Sequence, residues 1–343
     1  MAKVLLVDTN FSSAPIYSVL QDLGHDVHVV GSNPIDALAK SANNFWNIDY
    51  SDTTALYDLI ERENFDYLVP GCTDRSYKSC AFVNRGRFPG IETPAIEDEI
   101  HNKQKFRTIA EKLNLPIPET QNINNKRLDY PVIIKPVDSY SGKGITVLRS
   151  HNQQTFDNAI ELAKKTSLTK EYIVERFIDG DLYSHNAFLK NQTAIKNFFV
   201  KENSTANSFV VDTSRAIFNP PSEMQQQIID AVEKLAQYLN LKDGLIHSQF
   251  IWDGTKAYLI DRKRAIAGDL YSRLIELSTG YPFVENYVRP FLGMSYRDAE
   301  NPDIRVPIMR HTVSVSKDQN FNHIHYKKSL FLESWVALSV KTR

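Results

Sequence analysis

A lysine at the end of an apolar run is where chemistry first shows in this chain. Val132, Ile133 and Ile134 read as strand and Lys135 closes it; a loop carrying Ser139, Ser141, Gly142, Lys143 and Gly144 follows, and Ile145 to Leu148 return to strand. Burying a charge without a partner is costly, so a lysine in that position asks for an anion. The small residues leave backbone N–H groups accessible, and with its two lysines such a hairpin can fold over an anionic ligand. It is not a strand-to-helix phosphate turn: no helix N-terminus follows it, and neither GxGxxG nor GxxxxGK[ST] occurs. An ordinary Gly/Ser turn has the same local composition.

Further residues carry charge at the ends of apolar segments. Two apolar strands, residues 244–252 and 257–261, meet at Asp253-Gly254 and can place Gln249 and Asp261 side by side on one face, with Arg264 just beyond. Asp261 there is either a metal ligand or the partner of Arg262 or Arg264. Lys103 opens a helix over 103–113, whose Lys105 and Arg107 also suit a solvated face. Glu175 lies near the end of a strand over 172–176, where it either caps an edge or faces a ligand. Asp74 follows a strand over 67–70, at the end where open sheets bind ligands, and also suits a turn. His247, His323 and His325 alternate with apolar residues and read as structural.

The elements that must position these residues fall into three stretches. Strand and helix alternate up to about residue 94, predicting a small parallel α/β lobe. Its first turn, Asp8-Thr9-Asn10-Phe11-Ser12-Ser13, lacks the glycines that bring a dinucleotide's pyrophosphate onto a helix, so the lobe is Rossmann-like without NAD binding. The hairpin, a helix near 155–165 and the strand over 172–176 follow, then an antiparallel pair around Asn191-Gln192, a helix over 222–239 and the Gln249–Asp261 strands. We place boundaries at 1–97 for the first lobe, 98–300 for the second unit with a lid over about 120–180, and 301–343 for C-terminal strands without an assigned role.

Bulk properties narrow the class. The 343 residues are 42% hydrophobic and 24% charged with a net charge of −1, which gives no reason to expect nucleic acid or an anionic membrane as partner. No apolar run is long enough to span a bilayer, and Cys72 and Cys80 form no CxxC pair, so a reducing cytoplasm is the expected location.

In order and spacing, "NKQKFRTIAEKLNLPIPET", "YPVIIKPVDSYSGKGITVL", "YIVERFIDGDLYS" and "DGLIHSQFIWDGTKAYLIDRKRAIAGDLYSRLIELSTG" resemble the ATP-grasp superfamily of carboxylate-amine ligases, which includes carbamoyl-phosphate synthase, biotin carboxylase and D-alanine ligase. The resemblance spans roughly residues 1–293. It implies an α/β ATP-grasp fold, a lid subdomain plus a larger mixed α+β subdomain, behind a Rossmann-like parallel lobe. It also implies that Lys103 and Lys135 hold α- and β-phosphate oxygens, and that Ser141, Gly142, Lys143 and Gly144 cover the γ-phosphate. Glu175, with the backbone near Phe177, would meet adenine, and Asp181 the ribose. Gln249 and Asp261 would hold magnesium, and Arg264, with Lys143, would act on the acyl phosphate or substrate carboxylate.

The superfamily's metal trio of glutamate, then glutamate-x-asparagine, reads here as Gln249, Asp261 and Lys263. The expectation is that Asp261 is the principal ligand and Gln249 contributes its amide oxygen. Lys263 is expected to point away, having no lone pair to donate, and Gln249→Glu to leave activity intact. The implied activity is ATP- and magnesium-dependent ligation of a small carboxylic acid to an amine through an acyl phosphate. The alternatives are a nucleotide-binding protein without ligase turnover, or a small-molecule kinase. A homodimer is the commonest soluble assembly.

Overall fold

The computed structural model describes residues 1–123, 128–139, 142–205, 207–300 and 304–313. Ser141, His323 and His325 lie outside the described residues.

The first lobe is a four-stranded parallel sheet of β1 (Lys3–Val7), β2 (Asp26–Gly31), β3 (Asn44–Asn47) and β4 (Tyr67–Pro70), in the order β3-β2-β1-β4. Val4, Leu5, Leu6 and Val7 are all buried, because a parallel sheet covered by helices needs apolar residues on both faces. The covering helices are α1 (Ala14–Asp22), α2 (Ala37–Ser41), α3 (Thr53–Glu63) and α4 (Asp74–Asn84). Asp52 caps α3 by accepting from the backbone of Thr54 and Ala55, and Thr73 caps α4 through Ser76. Asp74 is thus the first residue of a helix rather than part of a turn. Cys72 and Cys80 are buried free thiols.

Two short helices, α5 (Pro94–His101) and α6 (Lys103–Lys112), lead into the second unit, and Asn102 caps α6 through the backbone of Lys105. The lid is a three-stranded antiparallel sheet, β5 (Val132–Pro136), β6 (Thr146–Leu148) and β7 (Tyr172–Arg176), in the order β6-β5-β7. Helix α7 (Gln153–Thr166) covers one face, where Val132, Ile134 and Val174 pack with Phe156, Ala159 and Ala163. Strand period two therefore turns Ile133, Lys135 and Glu175 to the opposite face.

The large sheet is wholly antiparallel: β8 (Asp181–Lys190), β9 (Thr193–Asn203), β10 (Thr213–Ile217), β11 (Gly244–Trp252), β12 (Ala257–Lys263) and β13 (Met309–His311), in the order β12-β11-β8-β9-β10-β13. Helix α8 (Ser222–Leu239) packs Met224, Ile228, Val232 and Leu235 against one face, with Ala187, Leu189, Ile246 and Phe250. The other face is mixed: Phe188, Phe198, Val200 and Leu245 join the first lobe's core, and beside them lie Ser184, Asn186, Glu202, His247, Gln249 and Asp261. Helices α9 (Tyr271–Thr279) and α10 (Phe283–Val288) join this unit to the first lobe's core. The C-terminal segment thus supplies a strand to the large sheet. No helix among the described residues is long and apolar enough to cross a membrane.

Candidate active site

On the lid, Lys135 and Glu175 form an ion pair at 2.5 Å, and Arg107 of α6 bonds the other carboxylate oxygen of Glu175. Glu175 is fully buried. Burial alone would raise its carboxyl, but Lys135 and Arg107 hold it well down, to about 2. Burial draws the Lys135 ammonium down to about 8, with Glu175 opposing, so the pair is ionised at neutral pH. This corrects the expectation for Glu175: both its oxygens are taken by cations, so its side chain positions Lys135 and leaves nothing for adenine. The backbone N–H of Phe177 is also taken, by the carbonyl of Pro131 at 2.9 Å. Asp181, more than half exposed, pairs with Lys201 at 2.6 Å.

Lys103 reaches from the start of α6 to the flap, donating to the carbonyl of Ser139 at 3.1 Å, while the Ser139 hydroxyl donates to the carbonyl of Lys143 at 3.0 Å. The flap tip lies against the 207–212 loop. Gly142 has φ +68°, and a β-carbon there would sit 2.5 Å from Cβ and 2.7 Å from the carbonyl oxygen of Phe209. Only glycine suits that approach. The Lys143 side chain is exposed at this tip.

Across the cleft, the register of β11 and β12 sets Gln249 directly opposite Asp261. Burial would raise the Asp261 carboxyl, but the surrounding positive groups Lys103, Arg262, His101 and Lys263 hold it at about 2. Arg262 itself faces the other side of β12, stacked 3.6 Å from the Phe106 ring centre and donating to the carbonyl of Asn102 at 3.2 Å. That contact docks the start of α6, and hence Lys103, beside Asp261. Lys263 was expected to point away from the metal position, and its ammonium is taken by the first lobe. Period two keeps it on the face of Asp261, where its ammonium pairs with Asp74 of the first lobe at 3.2 Å.

The buried carboxylate of Glu202 was not anticipated. It accepts from Gln249 Nε2 at 2.7 Å and from the hydroxyls of Ser184 and Tyr271. Carrying the buried phase of β9 two residues beyond Val200 would have found it. His247 donates from Nδ1 to the amide oxygen of Asn186 at 2.9 Å and is held far down, to about 3, by burial, as suits a satisfied core histidine.

Magnesium fits this donor set. No group of three or more His, Cys, Asp or Glu among the described residues could hold a metal. Asp261 and the oxygen of Gln249 nevertheless supply two hard oxygen donors, and magnesium commonly uses one or two protein ligands beside phosphates and water.

Arg264 is corrected outright. It is buried and ion-paired with Glu92 at 3.2 Å, and its Nη2 donates to the carbonyls of Lys242 at 2.8 Å and Asp243 at 3.4 Å. It clamps the first lobe to the large unit and does not face the cleft. The strand twists out after Lys263, and sequence spacing alone cannot register that turn.

A lid sheet and a large antiparallel sheet closing on a lysine-lined cleft, behind a parallel lobe, define an ATP-grasp fold. Residues 128–271 match the family model of the ATP-grasp domain. The carbamoyl phosphate synthase large chain of Clostridium perfringens is 21% identical over 336 residues, covering 88% of this chain and 30% of that one. The formate-dependent phosphoribosylglycinamide formyltransferase of Histophilus somni is 28% identical over 190 residues, covering 52% of this chain and 48% of that one. The match thus spans less than half the length of these curated relatives. Among solved structures, the L-amino acid ligase of Bacillus licheniformis superposes with a TM-score of 0.71 at 17% identity, over 92% of this chain and 81% of that one.

Proposed function

We propose that this chain binds MgATP between the lid and the large sheet and ligates a carboxylic acid to an amine through an acyl phosphate. The observation that carries the reading is the convergence of Lys103, Lys135 and the Gln249–Asp261 pair from separate elements onto one cleft. Phosphoryl transfer needs position and charge neutralisation more than covalent help, and this is what such groups supply. Lys135, held by Glu175, which Arg107 fixes in turn, presents an ammonium to phosphate oxygens without side-chain reorganisation. Lys103 joins it from α6, and the backbone of Gly142, Lys143 and Gly144 excludes water over the γ-phosphate. Magnesium, when bound at Asp261 and Gln249, neutralises phosphate charge.

The acid's carboxylate attacks the γ-phosphorus, breaking its bond to the bridging oxygen and releasing ADP. The amine then attacks the acyl carbon, phosphate leaves, and the nitrogen loses its proton to solvent. ATP, magnesium and small acid and amine substrates follow from the same reading. We assign residues 1–97 to the first lobe and 98–300 to the ATP-grasp unit, with the lid over about 120–180.

The test is ADP release from the full chain with amino acids and simple acids and amines offered in pairs. Release that requires both an acid and an amine supports ligation. Release with the acid alone supports a kinase, and ATP binding with no release under any pair supports a binding protein.

A further inference from the structure

On the face of the large sheet opposite α8, two short rows of paired residues, offset by two positions between β8 and β9, lead from the Gln249–Asp261 edge to the added strand. Asp261 pairs with Gln249, and Gln249 with Ser184; farther along, Glu202 pairs with Ser214, and Ser214 with Arg310. Gln249 and Glu202 join the two rows by their hydrogen bond. Arg310, on β13, turns back over the sheet: Nη2 donates to the Ser214 hydroxyl at 3.1 Å and Nη1 to the Thr312 hydroxyl at 2.9 Å.

The guanidinium is only 14% exposed, yet both of these partners are neutral. Its nearest carboxylate, Asp269, stands at 3.6 Å, beyond hydrogen-bond distance, and is itself 62% exposed. Glu202 is committed to Gln249, Ser184 and Tyr271. Among the described residues the buried Arg310 Nε–H has no acceptor. A largely buried guanidinium with a spare Nε–H, whose one ion pair is a 3.6 Å contact to an exposed carboxylate, is matched to a planar oxyanion, which it can grip with two parallel hydrogen bonds. Three strand spacings, roughly 14 Å, separate β10 from β11, and Ser184, Glu202, Ser214 and Tyr271 fill the interval between this cation and the Gln249–Asp261 pair.

We infer that Arg310, delivered by the C-terminal strand, binds a carboxylate group of a small substrate and takes the anchoring role that Arg264 cannot. The inference rests on the ligase reading for what becomes of the carboxylate afterwards, but not for its capture. That carboxylate belongs either to the acid that is activated or to an amino acid serving as the amine.

The full chain, saturated with MgADP, is titrated calorimetrically with the twenty common amino acids and with acetate, propionate and succinate. The tightest binder is then repeated on Arg310→Gln and Arg310→Lys. The expected result is a Kd raised about 10- to 100-fold in Arg310→Gln, the loss of one charge-assisted pair, with a smaller rise in Arg310→Lys. ADP affinity should be unchanged in both, which also shows that the sheet has kept its fold. Binding of amino acids but not of simple acids assigns the carboxylate to the amine substrate; the reverse assigns it to the activated acid. Equal affinity in wild type and Arg310→Gln overturns the inference, as does no binding by any carboxylate of the panel. If Arg310-dependent binding occurs without turnover, the ligase reading fails while this one stands. Turnover that is indifferent to Arg310→Gln leaves the ligase reading standing and overturns the role of Arg310.

Discussion

Gln249 donates its amide Nε2 to Glu202 at 2.7 Å, and this bond decides which end of the amide is left for Asp261. An amide with its nitrogen held by a carboxylate turns its oxygen the other way, toward the position a cation would take. On the proposed reading, Glu202 is therefore a positioning residue for a magnesium held by Gln249 and Asp261.

The consequence reverses the expectation for Gln249→Glu. A carboxylate introduced there would meet Glu202 at hydrogen-bond distance, and two like charges so close cannot both stay ionised. We expect Gln249→Glu to raise the magnesium concentration needed for half-maximal ADP release. The double variant with Glu202→Gln should recover most of the loss, because it restores one donor and one acceptor. A double variant no better than Gln249→Glu alone would remove Glu202 from this role.

Asp261→Asn and Lys263→Asn should move the magnesium requirement in opposite directions. The first removes the one carboxylate of the pair. The second removes an ammonium that pairs with Asp74 and places positive charge near Asp261, where it opposes a second cation. At an effective dielectric of about 20, a neighbouring unit charge is worth on the order of a few kcal/mol, enough for a shift of roughly a hundredfold. Magnesium titrations of ATP turnover, with ATP in fixed excess, check both. A lowered requirement in Asp261→Asn would return that carboxylate to a structural role.

Glu175→Gln should cost stability before it costs binding. It leaves Lys135 and Arg107 buried without their shared counter-charge, a loss of about 3–5 kcal/mol for a broken buried pair. Denaturant unfolding of the nucleotide-free chain reads it. The sign of the pH dependence follows from the depressed carboxyl, at about 2 against an ordinary 4.5. The stabilisation is fully present above pH 4.5 and is lost as pH falls toward 2, so the gap between wild type and Glu175→Gln should narrow across that window.

Gly142→Ala should hinder lid closure. A β-carbon at φ +68° would meet the Phe209 backbone, which cannot yield as a side-chain tip could. We expect KM for ATP to rise about tenfold, the equivalent of roughly 1.4 kcal/mol. Amide exchange over the 142–148 peptide should become less responsive to nucleotide. A variant with unchanged KM and exchange would mean that this contact is not needed for closure.

Much of the architecture was legible in the residues. Strand β1, helix α8 and strand β11 fall where apolar runs and their periods place them, because local pattern decides element type when a segment is long and one face is buried. The opposition of Gln249 and Asp261 was readable too, since a two-strand hairpin has few registers to choose from. Asp74 and Glu202 were harder. Asp74 opens a helix of low apolar periodicity, and Glu202 lies where a strand runs past its last hydrophobic residue.

The partners of charged groups were decided only by the tertiary structure. Arg107 and Glu175 are 68 residues apart, Lys263 and Asp74 belong to different lobes, and Ser214 meets Arg310 across 96 residues. Residue types and spacing marked Lys135, Glu175 and Arg264 as able to bind anions or cations. They could not show that Glu175 would be used up neutralising Lys135, or that Arg264 would turn into an interlobe clamp while Arg310 came to the face of Gln249 and Asp261 in its place. A charge's role depends on which counter-charge the fold buries it against, and that distance is set by packing, not by position along the chain.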